Sequence, residues 1–172
     1  MLQNAMRELR RGNIPALDAI YNETKTAVFS LCLSYMRNYQ LAEDMMQDTY
    51  INVRKYIAYY RDEGSPKAWI LKIAKNLCLN EVKRRKREIP ITEEMQLASD
   101  YTLRTKDESG VIGLALEILK ETEAKIVMMH SIGGVPLKEI AEIVNRPYAT
   151  VRWQYASAIN KLRKEIEKRG LV

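Results

Sequence analysis

The stretch from Trp69 to Arg87, WILKIAKNLCLNEVKRRKR, constrains the chain most, because a protein core cannot satisfy all of its residues. On a helical wheel at about 100° per residue, Ile70, Ile73, Ala74 and Leu77 gather on the side that packs. Lys72, Asn76, Asn80, Lys83 and Arg87 gather on the other, with Trp69 among them. Cations contact phosphates, amides pair with base edges, and an indole offers a surface for an unstacked base. The segment therefore reads as a helix with one packing face and one face suited to nucleic acid. A basic run such as Lys83 to Arg87 also suits a solvated helix end, where positive charge complements the carbonyl terminus. The rest of the chain has to decide between the two.

Composition narrows the choice. In 172 residues, 28 Lys and Arg face 22 Asp and Glu, and the resulting +6 is concentrated rather than spread, which favours a polyanionic partner. Hydrophobic residues make up 47%, enough for a core, and glycines (7) and prolines (5) are few. Alternating strand patterns are absent, so an all-α fold is expected. Cys32 and Cys78 sit inside apolar helical patterns and, with a single His, make no zinc site. They read as reduced core thiols of a cytoplasmic protein, with no metal and no cofactor implied. Met1 to Gly12 is polar and lacks the apolar block of a leader. No apolar run approaches the roughly 20 residues that cross a bilayer.

From about Ile14 to Met36, Leu17, Ile20, Tyr21, Val28, Leu31, Cys32 and Tyr35 recur at three- and four-residue steps and predict a long amphipathic helix, with Pro15 in its first turn. After a polar break at Arg37 to Gln40, a second helix is predicted from Leu41 to about Tyr56. One of its faces carries Ala42, Met45, Met46, Thr49 and Val53; another exposes Asp44, Gln47, Asp48 and Ile51. An acidic face between basic segments suits a protein partner better than DNA. The loop YYRDEGSP, Tyr59 to Pro66, can present Tyr59 and Tyr60 to splayed bases or lay them as a lid over the helix junction. Ser65 is positioned to cap the following helix, with Pro66 at its first position.

The pattern breaks from Glu88 to Gly113, where acids outnumber bases. This predicts a flexible linker (88–113) between two small helical domains, 1–87 and 114–172. The second should hold helices at Leu114 to Leu119, Glu123 to Ser131, Leu137 to Val144 and Tyr148 to about Lys168. Its last two helices fit a helix-turn-helix template. Ile140 and Val144 face the core, Ala141 permits a close crossing, and Asn145 takes the left-handed turn position. Val151, Tyr155, Ile159 and Leu162 form the buried stripe. Arg152, Trp153, Ala156, Ser157 and Asn160 lie opposite, on the face that enters a major groove. Arg146, Lys161, Arg163 and Lys164 are placed for phosphates.

As a set, AEDMMQDTYINVRKYI (Ala42 to Ile57), AWILKIAKNLCLNEVKRRKR (Ala68 to Arg87) and PLKEIAEIVNRPYATVRWQYASAINKLRKEI (Pro136 to Ile166) resemble bacterial RNA polymerase sigma factors of the extracytoplasmic-function group. That group is reduced to the domains called region 2 and region 4. The resemblance runs from about Leu17 to Lys168. It implies a cytoplasmic transcription initiation factor, with no enzymatic activity, that docks on the polymerase core. Asp44, Gln47 and Asp48 would meet the coiled coil of the largest subunit, and the tail domain would lie near the flap of the second-largest. It assigns melting and capture of the −10 element to Tyr59, Tyr60 and Trp69, and further −10 contacts to Lys72, Asn76, Asn80, Lys83 and Arg84. It assigns the −35 duplex to Arg146, Arg152, Trp153 and Ser157, places the acidic linker in the RNA exit path, and suggests an anti-sigma factor as regulator.

The chain departs from the family pattern in two places. The recognition helix usually begins G-T-V-R-S-R, whereas here Ala149 to Ser157 reads ATVRWQYAS, with fewer cations and hence a shallower salt dependence. A proline expected before the third helix of region 4 is missing from Leu119 to Thr122. Two rivals stand beside this reading. One is an ordinary helix-turn-helix regulator that binds duplex DNA without joining polymerase. The other is a nucleic-acid enzyme, which the acids Glu43, Asp44 and Asp48 support poorly, having helical spacing and no His partner.

Overall fold

A computed structural model describes residues 1–88 and 110–170. The described residues are helical and fall into two domains. Helices α1 (Leu2–Arg10), α2 (Ala16–Met36), α3 (Tyr39–Tyr56) and α4 (Pro66–Glu88) form the first, with a 3₁₀ turn at Ile57–Tyr59. Helices α5 (Val111–Ile118), α6 (Glu121–Val127), α7 (Leu137–Val144) and α8 (Tyr148–Lys168) form the second, with a π turn at Met128–Ile132 between α6 and α7.

α2 is the centre of the first bundle, buried on several sides at Ile20, Ala27, Val28, Leu31, Cys32 and Leu33. It ends where Arg37 turns left-handed at φ 52°. Asn38 then caps α3, its Oδ1 accepting from the Leu41 amide at 3.0 Å. Ser65 caps α4, its Oγ accepting from the Ala68 amide at 3.2 Å. No helix is predicted before Ile14, yet α1 forms there and buries Ala5, Met6 and Leu9 against the bundle. Cys32 and Cys78 are buried and unbridged. A hydrogen bond with Cys78, together with burial, pushes the Cys32 thiol up and keeps it unreactive.

The first described helix of the second domain starts at Val111, and α6 starts without the proline that the resemblance leads one to expect. Instead the Lys120 amide donates to Glu123 Oε2 at 3.1 Å. The helix predicted to reach Ser131 changes to a π turn after Val127. α7 and α8 match the predicted bounds, and Asn145 between them is left-handed at φ 53°.

The second domain docks on the first through α2 and α4. Arg37 Nη1 donates to the Leu116 carbonyl at 2.8 Å, and the Lys125 ammonium lies 3.9 Å over the Tyr35 ring. Ser65 Oγ donates to Glu139 Oε2 at 3.2 Å, and Lys75 Nζ donates to the Ile143 carbonyl. Gly133 makes the closest approach. A Cβ there would lie 2.5 Å from Ser30 Oγ, 2.7 Å from the Met129 carbonyl oxygen and 3.1 Å from Ala27 Cα. Gly133→Val should cost about 1–3 kcal/mol by overpacking. Chemical denaturation would check it, a lower midpoint being expected and an unchanged one counting against this packing.

Candidate polymerase and nucleic-acid interfaces

Asp44, Gln47, Asp48 and Ile51 stand at positions i, i+3, i+4 and i+7 of one face of α3, and all four are exposed. Ala42, Met45, Thr49 and Val53 hold the opposite face in the core. Ile51 is 63% exposed, an apolar side chain one turn beyond Gln47 and Asp48. Such a face presents a hydrophobic anchor with a charged rim, the layout of a protein-binding patch.

On α4, Lys72, Asn76, Asn80 and Lys83 are exposed along the helix. The tail domain packs on the Lys75 side, so it leaves this face open. Burial of Lys75 and the nearby charges of Lys125 and Lys72 lower its pKa. At the end of α4, Asn80, Lys83, Arg84, Arg87 and Glu88 line a shallow concavity. Arg84 is not a free cation there. It binds Glu81 at 2.7 Å and pairs with Glu88, and its hydrogen bond is the largest influence holding the Glu81 carboxyl down at about 2. Arg85 binds the same Glu81 at 2.7 Å. Lys72 and Lys83 have no ion-pair partner among the described residues.

The aromatic group is rearranged from the sequence expectation. Tyr59 is 78% exposed and offers its ring to solvent. Tyr60 is 3% exposed, and the expectation that it captures a base is corrected here. Its hydroxyl donates to Gln3 Oε1 at 3.1 Å and its ring packs edge-on against Trp69 at 5.2 Å. Trp69 is in turn half-buried, lying at the boundary of the packing face rather than on the open side. Of the two alternatives for YYRDEGSP, Tyr59 takes the open one and Tyr60 the lid.

In the second domain, Val151, Ala158 and Leu162 are the buried residues of α8. Ala158 was absent from the predicted stripe. Tyr155 is half-buried, edge-on to His130 at 4.8 Å. The outward face carries exposed Arg152, Trp153 (69% exposed), Ala156 and Asn160, with Ser157 half-buried beside them. Arg146 is exposed at the turn, where Lys138, Glu142, Asn145, Pro147 and Tyr148 line a concavity with it. Lys161 differs from its expected phosphate role: it binds buried Glu123 at 2.6 Å. Burial would raise the Glu123 carboxyl, but Lys161 and the Lys120 amide outweigh it and lower its pKa. No group of three or more His, Cys, Asp or Glu side chains suited to a metal occurs among the described residues. Of the linker expected at 88–113, Glu88 belongs to α4 and Val111 to Gly113 to α5, and residues 89–109 lie outside the described residues.

Residues 20–88 match the model of sigma-70 region 2, and residues 109–162 match that of sigma-70 region 4. The chain belongs to the sigma-70 family, in its extracytoplasmic-function group. It is 23% identical to the ECF RNA polymerase sigma factor SigW of Bacillus subtilis, over 96% of this chain and 97% of that protein. It is 25% identical to the ECF sigma factor SigK of Mycobacterium ulcerans, over 94% of this chain and 91% of the relative. The fold is similar to that of CnrH, solved with the cytosolic domain of CnrY. There the TM-score is 0.68 and the identity 16%, over 96% of this chain and 97% of that one. It is also similar to RpoE of Bartonella quintana, solved with the anti-sigma factor NepR, at a TM-score of 0.64 and 18% identity, covering 82% and 90%. As a sigma factor, the protein is a transcription initiation factor. No described helix is long and apolar enough to cross a membrane.

Proposed function

We propose that this sigma factor holds the polymerase core through the Asp44, Gln47, Asp48 and Ile51 face of α3. The Tyr59 loop and the Lys72, Asn76, Asn80 and Lys83 face of α4 take up the −10 strand as it opens. Arg146, Arg152, Trp153 and Ser157 read the −35 duplex, with the tail domain toward the polymerase flap. The working units are the bundle of α1 to α4, the tail domain of α5 to α8 and the segment that joins them, and the protein works in the bacterial cytoplasm without catalytic chemistry of its own. An anti-sigma factor that covers these faces would keep it silent. The observation that carries this reading is that the acidic and the basic faces are open at once, on two helices of one bundle, with the tail domain docked elsewhere.

Opening is an exchange of base stacking for protein contacts. Unstacking costs a few kcal/mol per step, and each base stacked on an aromatic returns about 1–3 kcal/mol. Tyr59 is the exposed ring available for that exchange. Engagement of both elements also separates the domains. A −10 and a −35 element lie about 85 Å apart at about 3.4 Å per base pair, whereas a globule of this length is about 40 Å across. Residues 89–109, fully extended, reach no more than about 75 Å.

The test is run-off transcription with purified core, on a promoter selected from random duplex DNA by the wild-type holoenzyme. Tyr59→Ala should lower initiation about tenfold on duplex template and recover on a template already unpaired at −10. Equal loss on both templates, or none on either, would refute strand capture by Tyr59.

A further inference from the structure

The loop that follows Tyr59 is held by a helix that lies outside the region 2 match at residues 20–88. Gln3 Nε2 donates to Asp62 Oδ1 at 2.9 Å, and Arg7 Nε donates to Asp62 Oδ2 at 2.8 Å. Arg10 adds a longer ion pair to the same oxygen at 3.6 Å and, through Nη1, donates to the Tyr60 carbonyl at 2.9 Å. Tyr60 returns a hydrogen bond to Gln3 and packs on Trp69. Three side chains of α1, one turn apart on one face, therefore grip two loop residues fifty or more positions downstream. The loop closes through Gly64, left-handed at φ 89°, and ends at the Ser65 cap.

We infer that α1 is a positioning clamp for strand capture: Gln3, Arg7 and Arg10 fix Tyr60 and Asp62, and so set where the exposed Tyr59 ring meets the unpaired strand. The inference rests on the reading of this loop as the strand-capture element.

The physical case is one of preorganisation. Exposed ion pairs taken singly contribute little to folding stability, so a mere staple at Asp62 would have small consequences. Converging on one carboxylate and one carbonyl, they instead restrict the backbone that carries Tyr59. A displacement of about 1 Å in a group that must meet its target can cost orders of magnitude in rate. The Arg7 hydrogen bond holds the Asp62 carboxyl below its usual range. Arg61 and Glu63 on either side of Asp62 are exposed and make no hydrogen bond or ion pair to α1.

The experiment measures the rate of promoter opening by the holoenzyme on the selected promoter, together with core affinity. Asp62→Ala should slow opening about tenfold on duplex and little on the pre-unpaired template, while core affinity stays at the wild-type value. Asp62→Glu, which keeps the charge, should restore most of the rate. Asp62→Ala combined with Tyr59→Ala should be no slower than Tyr59→Ala alone, because the clamp acts through that ring. Additive losses, a matching fall in core affinity, or an Asp62→Glu as slow as Asp62→Ala would overturn the clamp. A silent Asp62→Ala beside an effective Tyr59→Ala overturns the clamp alone. A silent Tyr59→Ala overturns the strand-capture reading beneath it.

Discussion

Reversing two charges on α3, Asp44→Lys with Asp48→Lys, should weaken binding to polymerase core roughly a hundredfold, about 2.7 kcal/mol. Both carboxylates are exposed, as are Gln47 and Ile51 between and beyond them. Their removal therefore leaves no buried group unsatisfied, and thermal stability should stay near the wild-type value. Placing two cations where a partner expects anions adds repulsion to lost attraction, and like-charge juxtaposition at an interface costs several kcal/mol. The measurement is competition between variant and wild type for a limiting amount of core. Ile51→Ala should add a smaller loss, since it removes an apolar anchor without introducing repulsion. Undiminished core binding by the double reversal would move the polymerase contact to another face.

The same variant separates a polymerase subunit from a regulator that binds duplex on its own. The charged positions touch neither Arg152 on α8 nor Lys72 on α4. A free-standing regulator would therefore find its DNA as well after the reversal as before. A sigma factor would lose transcription from every promoter in proportion to lost core occupancy. The placement of the docked tail domain supports keeping these surfaces apart in argument. It covers Lys75 and the Ser65 end of α4 while leaving Lys72, Asn76 and Asn80 in solvent.

The elements that could be read from the chain are those whose signals are local. The bounds of α7 and α8 follow from Pro136, Asn145 and Pro147, which stop or start helices by their own backbone preferences. The Ser65 and Pro66 start of α4 is of the same kind. α1 was equally legible, since Leu2, Ala5, Met6 and Leu9 keep helical spacing, but a search there for a leader's apolar block passes over a short amphipathic helix. Other features depend on contacts that no local pattern encodes. Tyr60 is buried because Gln3 and Arg10 reach it from α1, and Lys161 is occupied because Glu123 lies across the domain. The π turn at Met128–Ile132 sits where Gly133 must approach α2 more closely than a side chain allows. Charge on a wheel shows which residues can face solvent, and only the fold shows which of them have been claimed by a neighbour.

Removing the outward face of the recognition helix, Arg152→Ala with Trp153→Ala, should lower affinity for the selected −35 duplex by about ten- to a hundredfold and relax its sequence preference. Trp153 is 69% exposed, so its truncation costs the fold little and its effect belongs to binding. Arg152 is exposed at the N-terminal end of α8, where a helix-turn-helix reaches base edges. Arg146 at the turn should behave differently. Arg146→Ala should weaken all duplexes alike and reduce the slope of log affinity against log salt by about one. Measuring binding of the holoenzyme to selected and unrelated duplexes at several salt concentrations distinguishes base reading from phosphate contact. If the double variant lost affinity for both duplexes equally, Arg152 and Trp153 would be positioning contacts. Sequence reading would then fall to Ala156, Ser157 and Asn160, further along the same face.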